Sequence, residues 1–313
     1  MKKPKILVVG SFVMDFIVTT KQFPSAGQTV LGSGFSTVPG GKGANQAIQA
    51  ARLGADVTMV GKVGNDDFGK QLIKSAKASG VNTDYVLKSE KFPSAVGNVQ
   101  IQCNKSGTEN RIIVVPGANM DINPEEVDFL KEKIAEYDMV ILQNEIPIEI
   151  NILVAQYAKA KGVPVMLNPA PSAKIPKELI SCLTYISPNE HETRDITGIN
   201  PDSDEGRKAA IKKFTVMGVE NVLITLGKHG CIFGDGENIF KSDSVDCGKV
   251  VDPTAAGDSF IAAFCTAISS GKSVEETLYF ANCTAGITVS RMGAQTSLPT
   301  LPEVIRIMEG GKD

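Results

Sequence analysis

VDPTAAGDSFIAAF, residues 251–264, places Asp258 directly behind a glycine, at the mouth of an otherwise apolar segment. From Ser259 onward the apolar residues Ile261, Phe264, Cys265 and Ile268 recur at i, i+3, i+4 and i+7. That is the pattern of a helix with one buried face. Residues 252–257 are small and turn-prone. The helix therefore begins near Ala256 to Asp258, with backbone N–H groups unpaired at its start. Asp258 has two readings at this point. It caps the helix, since acidic residues are favoured at an N-terminus, or it is a working carboxylate beside an anion site.

The segments around it alternate. Short apolar runs at 6–9, 57–60, 139–142, 163–167, 184–187, 222–225 and 231–233 predict strands. Helical patterns lie between them at 43–53, 68–79, 124–136, 148–161 and 203–217. After Asp258 the patterns predict helices only, at 259–270, 274–290 and 302–309. Strands separated by helices imply βαβ units: an α/β fold, with a mostly parallel sheet and helices on both faces. Ligands in such folds sit at the carboxyl ends of the strands. Residues 11–39 and 94–115 break the rhythm with Gly-rich and β-branched stretches such as TVLGSGFSTV, AVGNVQIQCN and NRIIVV. They predict a few strands outside the main sheet, forming either a flap over the site or a dimer surface. No repeat or linker divides the chain, so residues 1–313 are expected to form one domain.

Bulk properties exclude several classes. The 313 residues are 42% hydrophobic and 21% charged, with a formal net charge of −3. Lysines and arginines are scattered, which argues against a nucleic-acid partner. Cys103, Cys182, Cys231, Cys247, Cys265 and Cys283 show no C-x-x-C spacing and are expected to be buried, reduced thiols of a cytoplasmic protein. The start, MKKPKILVVGSFVM, imitates a signal peptide, but Asp15 interrupts the apolar run and no small-x-small site follows. It predicts a first buried strand at Lys5–Val9. No other segment approaches the roughly 18 apolar residues that span a membrane. No membrane partner is expected.

The common nucleotide motifs, G-x-x-x-x-G-K-[ST] and a G-x-G-x-x-G after a strand, are absent. In their place stands PGGKGANQA, residues 39–47. Adjacent glycines let a backbone approach a ligand closely. Lys42 and Asn45 supply a cation and an amide suited to a polyhydroxylated ligand, although a tight turn explains the glycines equally well. SPNEHE, residues 187–192, follows a strand and sets Asn189 and Glu192 three apart. They are hard oxygen donors for Mg²⁺, directly or through water, or else a capped helix start. ITLGKHG, residues 224–230, is a strand and a Gly-containing loop that fits contact with a nucleotide or a plain turn. His191 and His229 are read neither as metal ligands nor as a general base.

Taken together and in this order, these segments resemble the ribokinase family of sugar kinases over nearly the whole chain. GGKGANQA and DPTAAGDSF are the most specific; GSFVMD, LQNE, LNPAP, PNEHE, TLGKHG and RMGAQTSLP accompany them in the family's order. The resemblance implies a three-layer αβα sandwich with a small β-sheet lid that covers the sugar and often mediates a homodimer. It implies that Asp258 is the catalytic base, and that Ala255, Ala256 and Gly257 form an anion hole facing the transferred phosphoryl group. Asp15, Gly41, Lys42, Asn45 and Glu145 resemble the sugar contacts. Thr225, Gly227, Gly230, Asn282 and Asn189 resemble the nucleotide and phosphate contacts, with Asn189 and Glu192 also at a water-mediated Mg²⁺ site. Asp252, Thr254, Thr288, Arg291, Gly293 and Ser297 resemble the site of an activating K⁺. ATP, Mg²⁺ and K⁺ are thus the expected cosubstrate and ions.

The same likeness implies a pentose phosphorylated at its 5-hydroxyl. One position departs from ribokinase, which typically has Asn two residues before the sugar-binding Asp; here that residue is Val13. Related deoxyribokinases are apolar there, next to C2 of the sugar. Val13 implies a preference for 2-deoxy-D-ribose with D-ribose still accepted, or is mere core variation. A nucleoside kinase, with Phe12 or Phe35 against the base, and a non-catalytic sugar-binding regulator are the remaining alternatives.

Overall fold

The computed structural model describes residues 3–104 and 107–311. The strands are β1 (Lys5–Val9), β2 (Val13–Thr20), β3 (Gly34–Gly40), β4 (Asp56–Gly64), β5 (Asn82–Ser89), β6 (Val96–Asn104), β7 (Gly107–Val115), β8 (Met139–Gln143), β9 (Val165–Asn168), β10 (Tyr185–Ile186), β11 (Asn221–Thr225), β12 (Cys231–Gly234) and β13 (Ile239–Ser242). The helices are α1 (Lys42–Arg52), α2 (Asp67–Ala78), α3 (Pro124–Val127), α4 (Leu130–Lys133), α5 (Ile148–Ala160), α6 (Lys177–Ile180), α7 (Glu190–Thr197), α8 (Asp204–Met217), α9 (Ala256–Ser269), α10 (Val274–Val289) and α11 (Leu301–Met308).

The main sheet runs β13-β12-β11-β10-β9-β8-β1-β4-β5. It is parallel from β5 to β11, and β12 and β13 add antiparallel. Alternation along β1 shows why it is covered twice. Ile6 and Val8 pack into one core with α1, α9, α10 and α11, while Leu7 and Val9 pack into the other with α5 and α8. A period of two sends successive side chains to opposite faces, and both faces are apolar. The result is a three-layer αβα sandwich. β2, β3, β6 and β7 form a separate sheet in the order β3-β2-β6-β7, with β2 and β6 parallel.

The structure departs from the sequence reading in places. The helix expected at 124–136 is divided into α3, α4 and a 3₁₀ turn at Ile134–Glu136. Lys131 N bonds Asp128 O and Tyr137 N bonds Ile134 O, three residues back, which tightens the chain there. Periodicity still reported the inward face, since Val127, Leu130 and Ile134 are all buried. β5 and β13 were not expected. Both are edge strands whose polar residues hide the strand pattern. Cys182, Cys231, Cys265 and Cys283 are buried, and burial pushes the Cys231 thiol up to about 12. Cys103 is exposed, contrary to expectation, because it lies on β6 of the small sheet. No helix among the described residues is long and apolar enough to cross a membrane.

Candidate active site

The question raised by Asp258 is answered at the start of α9. Its carboxylate does not cap that helix. Oδ2 accepts from Asn45 Nδ2 at 2.9 Å and Oδ1 from Gln46 Nε2 at 3.0 Å, so both oxygens face α1. The helix has no side-chain cap at all. Its N-cap residue, Ala255, is the one non-glycine with positive φ among the described residues, at 61°. An L-residue held there stores about 1–3 kcal/mol of strain, which persists where surroundings over-determine it. Gly257 follows, and a Cβ built on it meets nothing within 4 Å. The first turn of α9 thus opens onto free space, a natural place for an anion.

That space is a cavity of about 230 Å³ at the carboxyl edge of the sheet. Asp258, Gly257 and Ala255 line it from α9 and Lys42 from α1. Asn189 and Glu192 face it from α7, and Thr225 from the end of β11. A larger groove of about 830 Å³ lies elsewhere, lined by Lys174, Lys177, Asp195 and Val216. It contains none of the residues singled out by sequence, so chemistry rather than size identifies the site.

Glycines let α1 press onto the chain leaving β1. Gly41 has φ 95°, and a Cβ there would lie 2.7 Å from Val13 N; one on Gly43 would lie 2.5 Å from Ser11 N. Glu145, just after β8, accepts from Ser11 Oγ at 2.5 Å and from Lys42 N at 3.0 Å. Burial works against the Lys42 ammonium, but Asp258, Glu145, Glu192 and Asp15 together outweigh it and hold its pKa above the usual lysine value. Burial, reinforced by Asp258, pushes the Glu192 carboxyl up, against the Asn189 N–H and Lys42. Asn189 and Glu192 also form a reciprocal cap on α7, each donating a backbone N–H to the other's side chain at 2.9 Å. The capping reading of this pair is therefore correct, and both residues still face the cavity.

Asp15 projects from β2 over the small sheet's glycines. A Cβ on Gly97 would fall 2.1 Å from Asp15 Oδ1 and 3.6 Å from Val13 Cγ1, so Val13 and Asp15 share one face of β2. Burial, helped by Glu145 and opposed by Lys42, raises the Asp15 carboxyl to about 6. Its folded pKa lies above its unfolded one, so the native state holds the extra proton between about pH 4 and 6. Stability falls as pH rises through that window. Asp15→Asn is expected to stabilise the protein by about 1–2 kcal/mol at pH 7.5 and to flatten this dependence. Thermal unfolding at pH 5 and 7.5 checks it; a variant no more stable than wild type at pH 7.5 contradicts it.

The remaining residues lie outside the cavity. Gly227 and Gly230 bound a 3₁₀ turn after β11; a Cβ on Gly230 would strike Ser242 O at 2.0 Å, whereas Gly227 is open. Asn282, on α10, spends its Nδ2 on Ser242 Oγ at 2.9 Å. Asp252 ties the turn before α9 to the 291–297 segment: Oδ1 accepts from Thr254 N and Oγ1, and Oδ2 accepts from Gly293 N at 2.9 Å. Although burial opposes it, these bonds hold the Asp252 carboxyl below the usual range. The Thr288 carbonyl accepts from Arg291 N, the Arg291 guanidinium pairs with Glu303 at 2.8 Å, and Ser297 Oγ donates to Ala294 O. Ala256 N bonds Pro253 O at 3.2 Å.

Sequence reasoning missed Gln46, Gln143 and Asn168, which form a buried amide chain beneath Asp258. A signal existed for the first of these: Gln46 is a polar residue set among Ala44, Ala47, Ile48 and Ala50 of an Ala-rich helix.

The pfkB family carbohydrate kinase pattern matches residues 3–301. The chain is 41% identical to the ribokinase of Bacillus subtilis over 97% of its length and 99% of that protein. It is 32% identical to the deoxyribokinase of Salmonella typhi, over 95% and 96% respectively. The solved structure of Arabidopsis thaliana ribokinase complexed with ribose and ATP is similar with a TM-score of 0.91 and 35% identity, covering 98% of this chain and 99% of that one. The chain therefore belongs to the pfkB family of carbohydrate kinases, and it is a sugar phosphotransferase of the ribokinase type.

Proposed function

We propose that the protein transfers the γ-phosphoryl group of ATP to the 5-hydroxyl of a pentose by direct in-line displacement. The observation that carries this reading is the α9 start: an ungated helix N-terminus at Ala255–Gly257 with the Asp258 carboxylate beside it and Lys42 opposite. Asp258 accepts the hydroxyl proton as the oxygen attacks, and the Gly257 amide, joined by that of Ala256 once it leaves Pro253 O, stabilises the charge that develops. Lys42, held cationic by its acidic neighbours, adds to that stabilisation. Phosphoryl transfer asks mainly for positioning and electrostatics, and both are supplied by rigid elements here.

Asn189 and Glu192 fit a Mg²⁺ held through water. Such an ion needs few protein oxygens when phosphates complete its shell, and no cluster of three or more His, Cys, Asp or Glu exists among the described residues. When bound, Mg²⁺ neutralises phosphate charge. Asp252 fits a K⁺ set with carbonyls from the 288–297 segment, since two carboxylate oxygens offer about four lone pairs and three hydrogen bonds occupy them. When bound, K⁺ orders the turn before α9. Thr225, Gly227, Gly230 and Asn282 border the nucleotide, and the small sheet covers the sugar.

The sugar is read from Val13 and Asp15 on their shared face. Asp15, with Gly41, Lys42, Asn45 and Glu145 nearby, binds the hydroxyls, and Val13 offers C2 no hydrogen bond. We expect 2-deoxy-D-ribose to be preferred over D-ribose in kcat/KM by about ten- to a hundredfold, because an apolar pocket rejects an added hydroxyl only weakly. Val13→Asn is expected to move the ratio towards D-ribose by at least about tenfold. If this variant leaves the ratio unchanged, Val13 does not read C2. The ribokinases, at 41% and 35% identity, favour a second reading in which D-ribose is the better substrate of the wild type; the same ratio decides between them.

The small sheet also supports a homodimer. β3 and β7 are its edges, and Ile112, Ile113, Val114 and Val115 on β7 are all at least half exposed, as is Phe35 on β3. An exposed apolar edge strand invites pairing with another chain. Ile113→Asp is expected to shift the protein from dimer to monomer in sedimentation velocity. A wild type that sediments as a monomer contradicts the dimer.

A further inference from the structure

We infer that Gln46 is a positioning residue for Asp258: it fixes Oδ1 of the carboxylate and leaves Oδ2 as the oxygen that takes the substrate proton. The inference rests on Asp258 being the base, as proposed above. Gln46 is fully buried and does not line the cavity, so it acts on the reaction through the residues it bonds, and of these Asp258 is the carboxylate.

The orientation of the Gln46 amide is forced from three sides. Nε2 donates to Asp258 Oδ1 at 3.0 Å and to Asn168 Oδ1 at 3.2 Å, while Oε1 accepts from Gln143 Nε2 at 2.7 Å. A carboxylate can only accept. Asn168 spends its own Nδ2 on the Ser187 carbonyl at 3.2 Å, so its oxygen is what faces Gln46. A turned Gln46 would set its carbonyl against two acceptors and its nitrogen against a donor. All three bonds would be lost in a buried place, where unmet polar groups are costly.

Asn45 is held differently. Its Nδ2 donates to Asp258 Oδ2 at 2.9 Å, but its Oδ1, also buried, has no hydrogen-bond partner among the described residues. Turning Asn45 breaks one bond where turning Gln46 breaks three. Oδ2 is therefore the oxygen whose partner can change when a hydroxyl arrives. In the step itself the hydroxyl O–H bond breaks and its proton passes to Oδ2. The hydroxyl oxygen forms its bond to the γ-phosphorus, and the bond from that phosphorus to ADP breaks with its electron pair leaving on ADP.

The charged groups facing Asp258 are Lys42 from α1 and Glu192 from α7, and neither is altered in the test. Gln46→Met keeps length and removes the donor. Its kcat is expected to fall about ten- to a hundredfold, the usual worth of a hydrogen bond to a charged group, with KM for sugar and ATP within about threefold of wild type. The acid limb of its kcat–pH profile should move up by about one unit, because a carboxylate that loses a hydrogen bond to its charged form binds protons more readily. Gln49→Met is the control. It removes a buried amide of the same helix that bonds Pro299 O and not Asp258, so its profile should match wild type. If Gln46→Met does not fold, Gln46→Asn takes its place; it keeps a buried amide but is one methylene shorter, which draws the donor away from Oδ1, and it should lower kcat and shift the limb in the same direction. A wild-type kcat and profile in whichever of the two folds overturns the inference, as does a Gln49→Met profile shifted equally. Asp258→Asn in the same assay separates the two levels. If it is inactive while Gln46→Met behaves as wild type, only the positioning role fails; if it is active, the base assignment fails too.

Discussion

Asp258→Asn is expected to lower kcat by about a thousandfold, within the range for loss of a general base, while changing KM for either substrate only a few-fold. Shape is preserved, and the cavity lining stays as it is. The proton of the attacking hydroxyl then has no acceptor, because Glu145 is engaged with Ser11 and Lys42 N, Glu192 with the Asn189 N–H, and Asp15 does not line the cavity. Stability moves little, since two effects oppose. An Asn at 258 turns its own NH₂ toward one of the two amide donors, Asn45 or Gln46, which costs about 1–3 kcal/mol for the bond left unmade. Removing a charge that is only 6% exposed offsets part of that. Steady-state kinetics beside thermal unfolding checks both halves. Turnover within tenfold of wild type contradicts the role of Asp258.

Gly257→Val is expected to separate activity from folding even more sharply. The built Cβ meets no atom within 4 Å and Gly257 has helical, not left-handed, backbone, so the fold accepts a side chain there. Tm should stay within a few degrees, because replacing a helix glycine relieves about 0.5–1 kcal/mol of backbone entropy cost. The space that the side chain fills is the cavity itself. A phosphoryl group is then kept from the amides of the first turn, and losing such donors costs about a hundred- to a thousandfold in kcat. The contrast with Gly230 is instructive. There a Cβ would strike Ser242 O, so substitution should damage the fold first. Kinetics and Tm measured on Gly257→Val decide it; wild-type turnover means that the phosphoryl group does not approach α9.

Much of the architecture was legible because the physics that fixes it is local. Ile6 and Val8 against Leu7 and Val9, or the i, i+3, i+4, i+7 face of α9, declare strand and helix within a few residues. What was missed is decided by distant partners. β5 reads as loop because Asp84 and Lys88 interrupt it, and only pairing along β4 makes it a strand. β13 likewise reads as loop, because Lys241 and Ser242 interrupt it, and only pairing along β12 makes it a strand. The segment at 124–136 shows that apolar spacing reports which face is buried but not whether the hydrogen bonds run to the third or fourth residue back.

The site divides the same way. Gly41, Gly257 and Asp258 could be singled out because glycine beside a helix start has a local meaning. The hydrogen bonds that orient Asp258 could not, since Asn45 and Gln46 lie 213 and 212 residues away along the chain. Neither could the contact of Ser11 with Glu145, separated by 134 residues. Asn282 is a further case. The resemblance marked its position, but nothing in the sequence told that its amide nitrogen ties α10 to β13 through Ser242.

The central claim is phosphoryl transfer to a pentose 5-hydroxyl, and the most direct measurement is product analysis. The protein is incubated with ATP, Mg²⁺ and K⁺, with 2-deoxy-D-ribose or D-ribose in parallel; ADP release is followed and the product is examined by phosphorus–proton NMR. The account predicts that ADP forms only when a pentose is present, with one phosphate ester, at C5. Pentose-independent ADP release, an ester at another carbon, or no reaction with either pentose would contradict it.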